Sequence, residues 1–170
     1  MKGFTGIASF ALAVIIVVVN WSIWKKEQHI AEGSVVYLAL APVDPRSLMQ
    51  GDYMALRFDV GSKVESAISG ATASPDGAPR REFVVVSLDE HRVGTFARLD
   101  DDTELSESEV RLRYRARGGD VKFATNAFFF QEGEAKAFER ARFGRFRVDA
   151  HGELLLVSMH DERLEKIGAR

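Results

Sequence analysis

The chain has 170 residues, 46% of them apolar, with 23 Lys and Arg, 25 Asp and Glu, and no Cys. That length allows one domain with a real core, and the missing cysteines exclude disulfides, thiol catalysis and zinc–thiolate sites. Every carboxylate lies after Trp24; setting aside Lys2, Lys25 and Lys26 leaves 20 basic against 25 acidic side chains, a balance of −5. Nucleic-acid binding through phosphate neutralisation is therefore not expected.

Gly3 to Trp24 carries no charge, and Ile7 to Val19 is almost continuously apolar. About 20 such residues cross a hydrocarbon core of about 30 Å. Residues 1–26 are thus predicted to form a transmembrane helix that anchors the chain in a lipid bilayer. A cleavable secretory signal is the rival, but its apolar region is about 7–15 residues and ends in a small-x-small site. Here the run is longer and ends in Asn20-Trp21-Ser22-Ile23-Trp24, while Ala11-Leu12-Ala13 lies inside it. A retained anchor is favoured. Trp21 and Trp24 suit the headgroup level, with Lys25 and Lys26 behind them. The positive-inside count is close to a tie; the polarity of a signal-anchor favours a cytoplasmic N-terminus and an external domain.

After a polar neck over residues 27–33, the domain fills residues 34–170. Ser34–Ala41 reads as a strand ended by Pro42 and Pro45. Tyr53–Val60 alternates, with Tyr53, Ala55 and Arg57 opposite Met54, Leu56, Phe58 and Val60. Ser62–Ser69 is ambiguous, although Val64, Ala67 and Ile68 have helical spacing. Gly70–Pro79 reads as a flexible loop. Glu82–Leu88 and Val93–Leu99 form a predicted hairpin around Asp89–Arg92. Val110–Arg117 is the cleanest strand, with Val110, Leu112 and Tyr114 opposite Arg111, Arg113, Arg115 and Arg117. Gly118-Gly119-Asp120 turns it into Val121–Thr125.

Phe128-Phe129-Phe130 precedes a predicted helix that starts near Glu132 and Glu134, buries Ala137, Phe138 and Ala141, and stops at Gly144. Arg145–Asp149 and Glu153–His160 form a last hairpin, and Glu162–Ile167 reads as a short helix. The expected fold class is α+β: the N-terminal transmembrane helix, then a mainly antiparallel β-rich domain, a bent sheet or partial barrel, with one or two short helices.

His29, His91, His151 and His160 have no ligand spacing and read as solvated, so no metal is expected. Asp100–Glu104 lacks the spacing of a calcium loop. The Arg111, Arg113, Arg115 and Arg117 stripe needs solvent or acidic neighbours, which Asp100–Glu109 can supply; as a free surface it would take an acidic partner or anionic headgroups. Neighbouring Phe side chains alternate in a strand, so the three cannot all point inward; a partly exposed Phe129 would be a docking spot on membrane or partner, but burial on both sides under the following helix is favoured. Asp44-Pro45-Arg46-Ser47 suits a type I turn, and Gly51-Asp52 a second turn, with Asp52 capping amides or pairing with Arg46. Ser47 has no His or Lys nearby in sequence, so a nucleophile–base pair is not expected.

Gly51-Asp52-Tyr53-x-x-Leu56-x-Phe58 resembles the signature of the GDYXXLXY family of bacterial membrane-anchored proteins, with Phe58 in place of the final Tyr. Pro42, Asp44, Pro45 and Arg46 resemble its lead-in, and Phe128–Gly133, Ala135, Ala141, Gly144 and Arg147 its C-terminal half. The resemblance implies an anchored domain on the periplasmic side of the inner membrane, associated with a multi-spanning membrane protein, with no established catalytic residue or cofactor. Arg46, Asp52 and the arginine stripe are the candidate partner-binding groups, and a non-enzymatic role is expected. Pro45-x-x-Leu48-x-x-Gly51-Asp52 is also similar to a corner of type I signal peptidases. That implies an alternative, a membrane-anchored enzyme; yet Pro42-Val43-Asp44 stands where those enzymes place the nucleophilic Ser, and no lysine strand motif follows.

Overall fold

A computed structural model describes residues 2–41, 49–50, 53–70, 82–117, 120–125 and 127–168. The chain opens with a helix, α1 (Lys2–Glu32), and crosses Gly33 directly into strand β1 (Ser34–Ala39). The segment read as a neck is therefore helical up to Glu32. Among the described residues no helix is long and apolar enough to cross a membrane, so the fold itself lends no support to the transmembrane helix expected over residues 1–26.

The domain is α+β. Its main sheet has seven strands: β1, β4 (Phe83–Leu88), β5 (Val93–Leu99), β6 (Glu109–Arg113), β10 (Phe143–Val148), β11 (Leu154–His160) and β12 (Lys166–Ile167). They lie in the order β12-β11-β10-β1-β5-β4-β6, an open sheet in which only β1 and β5 are parallel. Strands β2 (Met49–Gln50), β3 (Tyr53–Ala55) and β9 (Ala127–Phe129) form a second sheet, and β7 (Arg115–Arg117) pairs with β8 (Asp120–Lys122).

One face of the main sheet carries the core. Val36, Leu38, Val84, Val86, Leu112, Phe146 and Val148 are buried there, and α2 (Asp59–Gly70) presents Val60 and Val64 to the same cluster. Glu65 Oε1 accepts the Val121 N–H at 2.8 Å, which ties α2 to β8.

Five expectations are corrected. Val60 is helical: the alternation of Met54, Leu56, Phe58 and Val60 continues in burial, but the backbone leaves strand geometry after Ala55 and the Phe58 carbonyl accepts from Gly61 and Ser62 at 2.9 and 3.3 Å. The predicted strand Val110–Arg117 divides at Tyr114, because Arg113 N–H turns to the Gly152 carbonyl and Tyr114 N–H to Glu82. The helix expected near 132–141 shrinks to α3 (Ala135–Phe138). Gly144 is no helix stop. It lies inside β10, where a Cβ would meet Phe58, Leu156 and Phe146 at 3.0–3.1 Å. Glu162–Ile167 is a turn leading into β12, shaped by Asp161 Oδ1, which accepts from Arg163 and Glu165 N–H at 3.0 and 2.9 Å. The loop expected over Gly70–Pro79 falls on residues 71–81, outside the described residues, apart from Gly70 at the end of α2.

The helix-to-sheet joint is tight. His29 Nε2 donates to the Arg147 carbonyl at 2.9 Å, and Arg147 Nη1 donates to the Gly33 carbonyl at 2.7 Å. A Cβ on Gly33 would stand 2.5 Å from the His29 carbonyl oxygen and 3.2 Å from Arg147. Gly33→Ala is expected to lower stability by roughly 1–3 kcal/mol, the usual cost of forcing atoms into a packed site. Thermal unfolding of the purified chain checks this; an unchanged melting temperature would show the joint to be slack.

Candidate functional site

Six residues of the signature region, Pro42, Asp44, Pro45, Arg46, Gly51 and Asp52, lie outside the described residues. Tyr53, Leu56 and Phe58 are described, and their spacing has a direct structural meaning. In extended backbone, alternate residues share a face. Leu56 and Phe58 therefore turn inward with Met54, and all three are buried, while Tyr53 stays half-exposed on the other side. Phe58 packs edge-to-face on Phe146 at 5.2 Å and forms a bridge with Leu40. It joins the signature strand to both the main sheet and α2.

Strand β3 pairs antiparallel with β9 in the register Tyr53↔Phe129, Met54↔Phe128 and Ala55↔Ala127. The three consecutive Phe separate by the same alternation. Phe128 and Phe130 meet Phe138 at 5.3 and 5.1 Å, whereas Phe129 points outward and is 74% exposed. Its ring lies 5.7 Å from that of Tyr53. The signature tyrosine and Phe129 thus make an aromatic pair on the outer face of the small sheet.

The arginine stripe is split and largely neutralised within the chain. Arg111 Nε stands 2.9 Å from Asp100, and Arg113 bridges Glu82 at 3.0 Å and Glu153 at 2.6 Å. Arg98 contacts Glu109 and lies 3.4 Å from Asp101. An anionic partner would have to displace these carboxylates. Arg115 is exposed on β7, and Arg117 pairs through its backbone with Asp120.

Glu109 gives this network a pH dependence. The Ser106 backbone N–H, followed by the Arg98 guanidinium, holds its carboxyl below its ordinary value of 4.5. A carboxyl depressed in the folded state contributes stability that is present above its unfolded pKa and is lost as pH falls through the folded one. The melting temperature is expected to fall on acidification below about pH 4.5, less steeply in Glu109→Gln than in the wild type. Parallel curves for the two proteins would show that Glu109 contributes nothing.

Two of the four histidines are not solvated. His160 is 5% and Ser158 3% exposed. His160 Nδ1 lies 2.8 Å from the Leu164 carbonyl, an acceptor only, so that nitrogen carries the proton. Nε2 therefore accepts from the Ser158 hydroxyl at 2.9 Å. This is the donor–acceptor chain of a serine nucleophile and its base, but both groups are sealed between Tyr37, whose ring is 5.1 Å from His160, and the β11–β12 turn. Arg145, opposite both Tyr37 and Ser158 in register, has a buried Nε with no hydrogen-bond partner among the described residues. His29 is the second buried histidine, tied to Arg147 as described. His91 and His151 are exposed in turns where Asp89 and Asp149 accept their backbone N–H groups at 2.9 Å. Alternation from Met159 already put Ser158 and His160 on one face, a signal the turn-based reading passed over. Among the described residues no group of three or more His, Cys, Asp or Glu is arranged to hold a metal ion.

A protein-family model described as GDYXXLXY protein matches residues 15–159. No match is found among curated proteins or among solved structures.

Proposed function

This chain belongs to the GDYXXLXY family, and from that premise we propose that it is a single-pass inner-membrane protein whose periplasmic domain binds a membrane-protein partner and catalyses no reaction. The observation that carries the reading is the surface of α1. From Phe10 to Trp24 its large apolar side chains are 45–72% exposed. Val14 to Val19 run without interruption, and six residues at about 100° per step cover every side of a helix. A helix apolar all round suits hydrocarbon, not a one-sided protein groove. Of the two polar residues in the run, Asn20 and Ser22, Asn20 donates an amide N–H to the Ile16 carbonyl at 2.8 Å, a bond made within the helix and without water. Described side chains reach only from Phe10, and the uncharged sequence continues back to Gly3.

The second part of the reading rests on the Tyr53–Phe129 pair. Anchoring holds the domain beside other membrane proteins, so a small aromatic contact suffices for association. Arg46 and Asp52 precede β3 in sequence and are further candidate contact groups. A non-enzymatic role is supported by the sealed Ser158–His160 pair, which leaves no path for a substrate carbonyl to reach Oγ.

A C-terminal reporter active only outside the cytoplasm is expected to be active when fused to the full chain. A well-expressed but inactive fusion would overturn the topology. In mild detergent the chain is expected to co-purify with an integral membrane protein. Recovery of the chain alone, under conditions that preserve other complexes, would contradict the partner-binding role.

A further inference from the structure

Beyond its last turn of contact with the sheet, α1 leaves a cleft of about 600 Å³ against the β10–β11 turn. Lys25, Lys26 and His29 line it from the helix, and Asp149, Ala150 and His151 from the turn. We infer that this cleft binds the phosphate of an anionic phospholipid headgroup, with Lys25, Lys26 and His151 as the recognising groups. The inference rests on the membrane-anchored reading given above.

Two acids line the cleft: Glu32, exposed at the end of the helix about two turns beyond Lys25 and Lys26, and Asp149, which is already engaged. Asp149 Oδ1 accepts from His151 and Glu153 N–H, each at 2.9 Å, and Oδ2 lies 3.9 Å from His29 Nδ1. The helix C-terminus is likewise occupied: the His29 carbonyl accepts from Gly33 N–H at 3.1 Å and the Gly33 carbonyl from Arg147. The Arg147 guanidinium thereby offsets part of the negative end of the helix dipole, which would otherwise oppose an anion. Lys25 and Lys26 stand more than a turn before that end. The Lys25 ammonium sits 4.6 Å over the ring of Trp21, a residue type that settles at the headgroup level. At 1.5 Å per residue, Lys25 to Gly33 rises about 12 Å past Trp24, so the cleft opens at headgroup depth. Its volume is that of a small-ligand pocket, larger than two exposed lysines on a plain helix would offer.

The test uses the full chain and its two tryptophans, Trp21 and Trp24, as reporters beside the cleft. Flotation with phosphatidylcholine vesicles comes first: failure to float overturns the anchored reading, whereas flotation leaves the cleft as the only matter in question. The chain in phosphatidylcholine nanodiscs is then titrated with short-chain phosphatidylglycerol and, separately, with inorganic phosphate. Saturable tryptophan fluorescence changes are expected with the lipid. Lys25→Gln with Lys26→Gln is expected to weaken binding about 30-fold, the factor for two lysines at a membrane surface. Ala150→Trp, read by lipid retained in native mass spectrometry, fills the cleft without changing charge and is expected to abolish it. Normal lipid binding by Ala150→Trp would reduce the effect to plain surface charge and overturn the proposal. Tight binding of inorganic phosphate with no response to the lipid would assign the cleft to a free phosphate and overturn its lipid identity.

Discussion

Phe58→Ala is expected to lower the unfolding free energy of the domain by about 3–5 kcal/mol, the range for removing a buried aromatic ring. Phe58 is 5% exposed and its ring fills the space between Phe146 and Gly144. Its backbone bridges to Leu40, and its carbonyl opens α2. Losing the ring therefore leaves a cavity at the point where β1, β10 and α2 converge, and Gly144 has no side chain that can move in to close it. Urea unfolding followed by far-ultraviolet dichroism measures the effect. A loss below about 1 kcal/mol would mean that the signature phenylalanine is not a core residue.

Phe129→Ser is expected to do the opposite. Its ring faces solvent, so stability should change by no more than about 0.5 kcal/mol. Capture of the membrane-protein partner should fall at least about 30-fold, the loss typical of an aromatic hot spot of about 2 kcal/mol. Phe128 and Phe130 rest on Phe138, so the neighbouring rings hold β9 in place in the variant. The two substitutions separate two roles: Phe58 holds the fold together, and Phe129 beside Tyr53 is the proposed contact with the partner. A Phe129→Ser protein that binds normally would remove the aromatic pair from the interface.

Locally specified elements were legible in the sequence. The β4–β5 and β10–β11 hairpins are strand pairs joined by short turns in which Asp89 and Asp149 cap the next amides, so each carries its own instructions. Alternation over Met54–Val60 grouped the four buried side chains on one face without saying which face was the covered one. It misplaced the end of the strand because Val60 satisfies two periods at once, two residues from Phe58 and four from Val64. Tyr114 shows the opposite limit. Nothing in Val110–Arg117 interrupts the alternation, and the break arises from the distant carbonyls of Glu82 and Gly152. Gly144 was misread because a glycine needed for close packing looks the same in sequence as one needed for a left-handed turn. Of the candidate site, alternation separated Phe129 from Phe128 and Phe130, but burial on both sides was expected, and the exposure of Phe129 corrects that expectation. Its pairing with Tyr53 did not follow from the sequence, since the two residues stand 76 positions apart. Nor did the neutralisation of Arg113, whose acids sit on β4's approach and the β10–β11 turn.

The most direct measurement is a photo-crosslink from position 129. A benzoylphenylalanine in place of Phe129, introduced in the full chain and irradiated in native membranes, is expected to give one dominant adduct with an integral membrane protein, suppressed when Tyr53→Ala removes the neighbouring ring. A folded, membrane-embedded chain that yields no protein adduct would contradict the account.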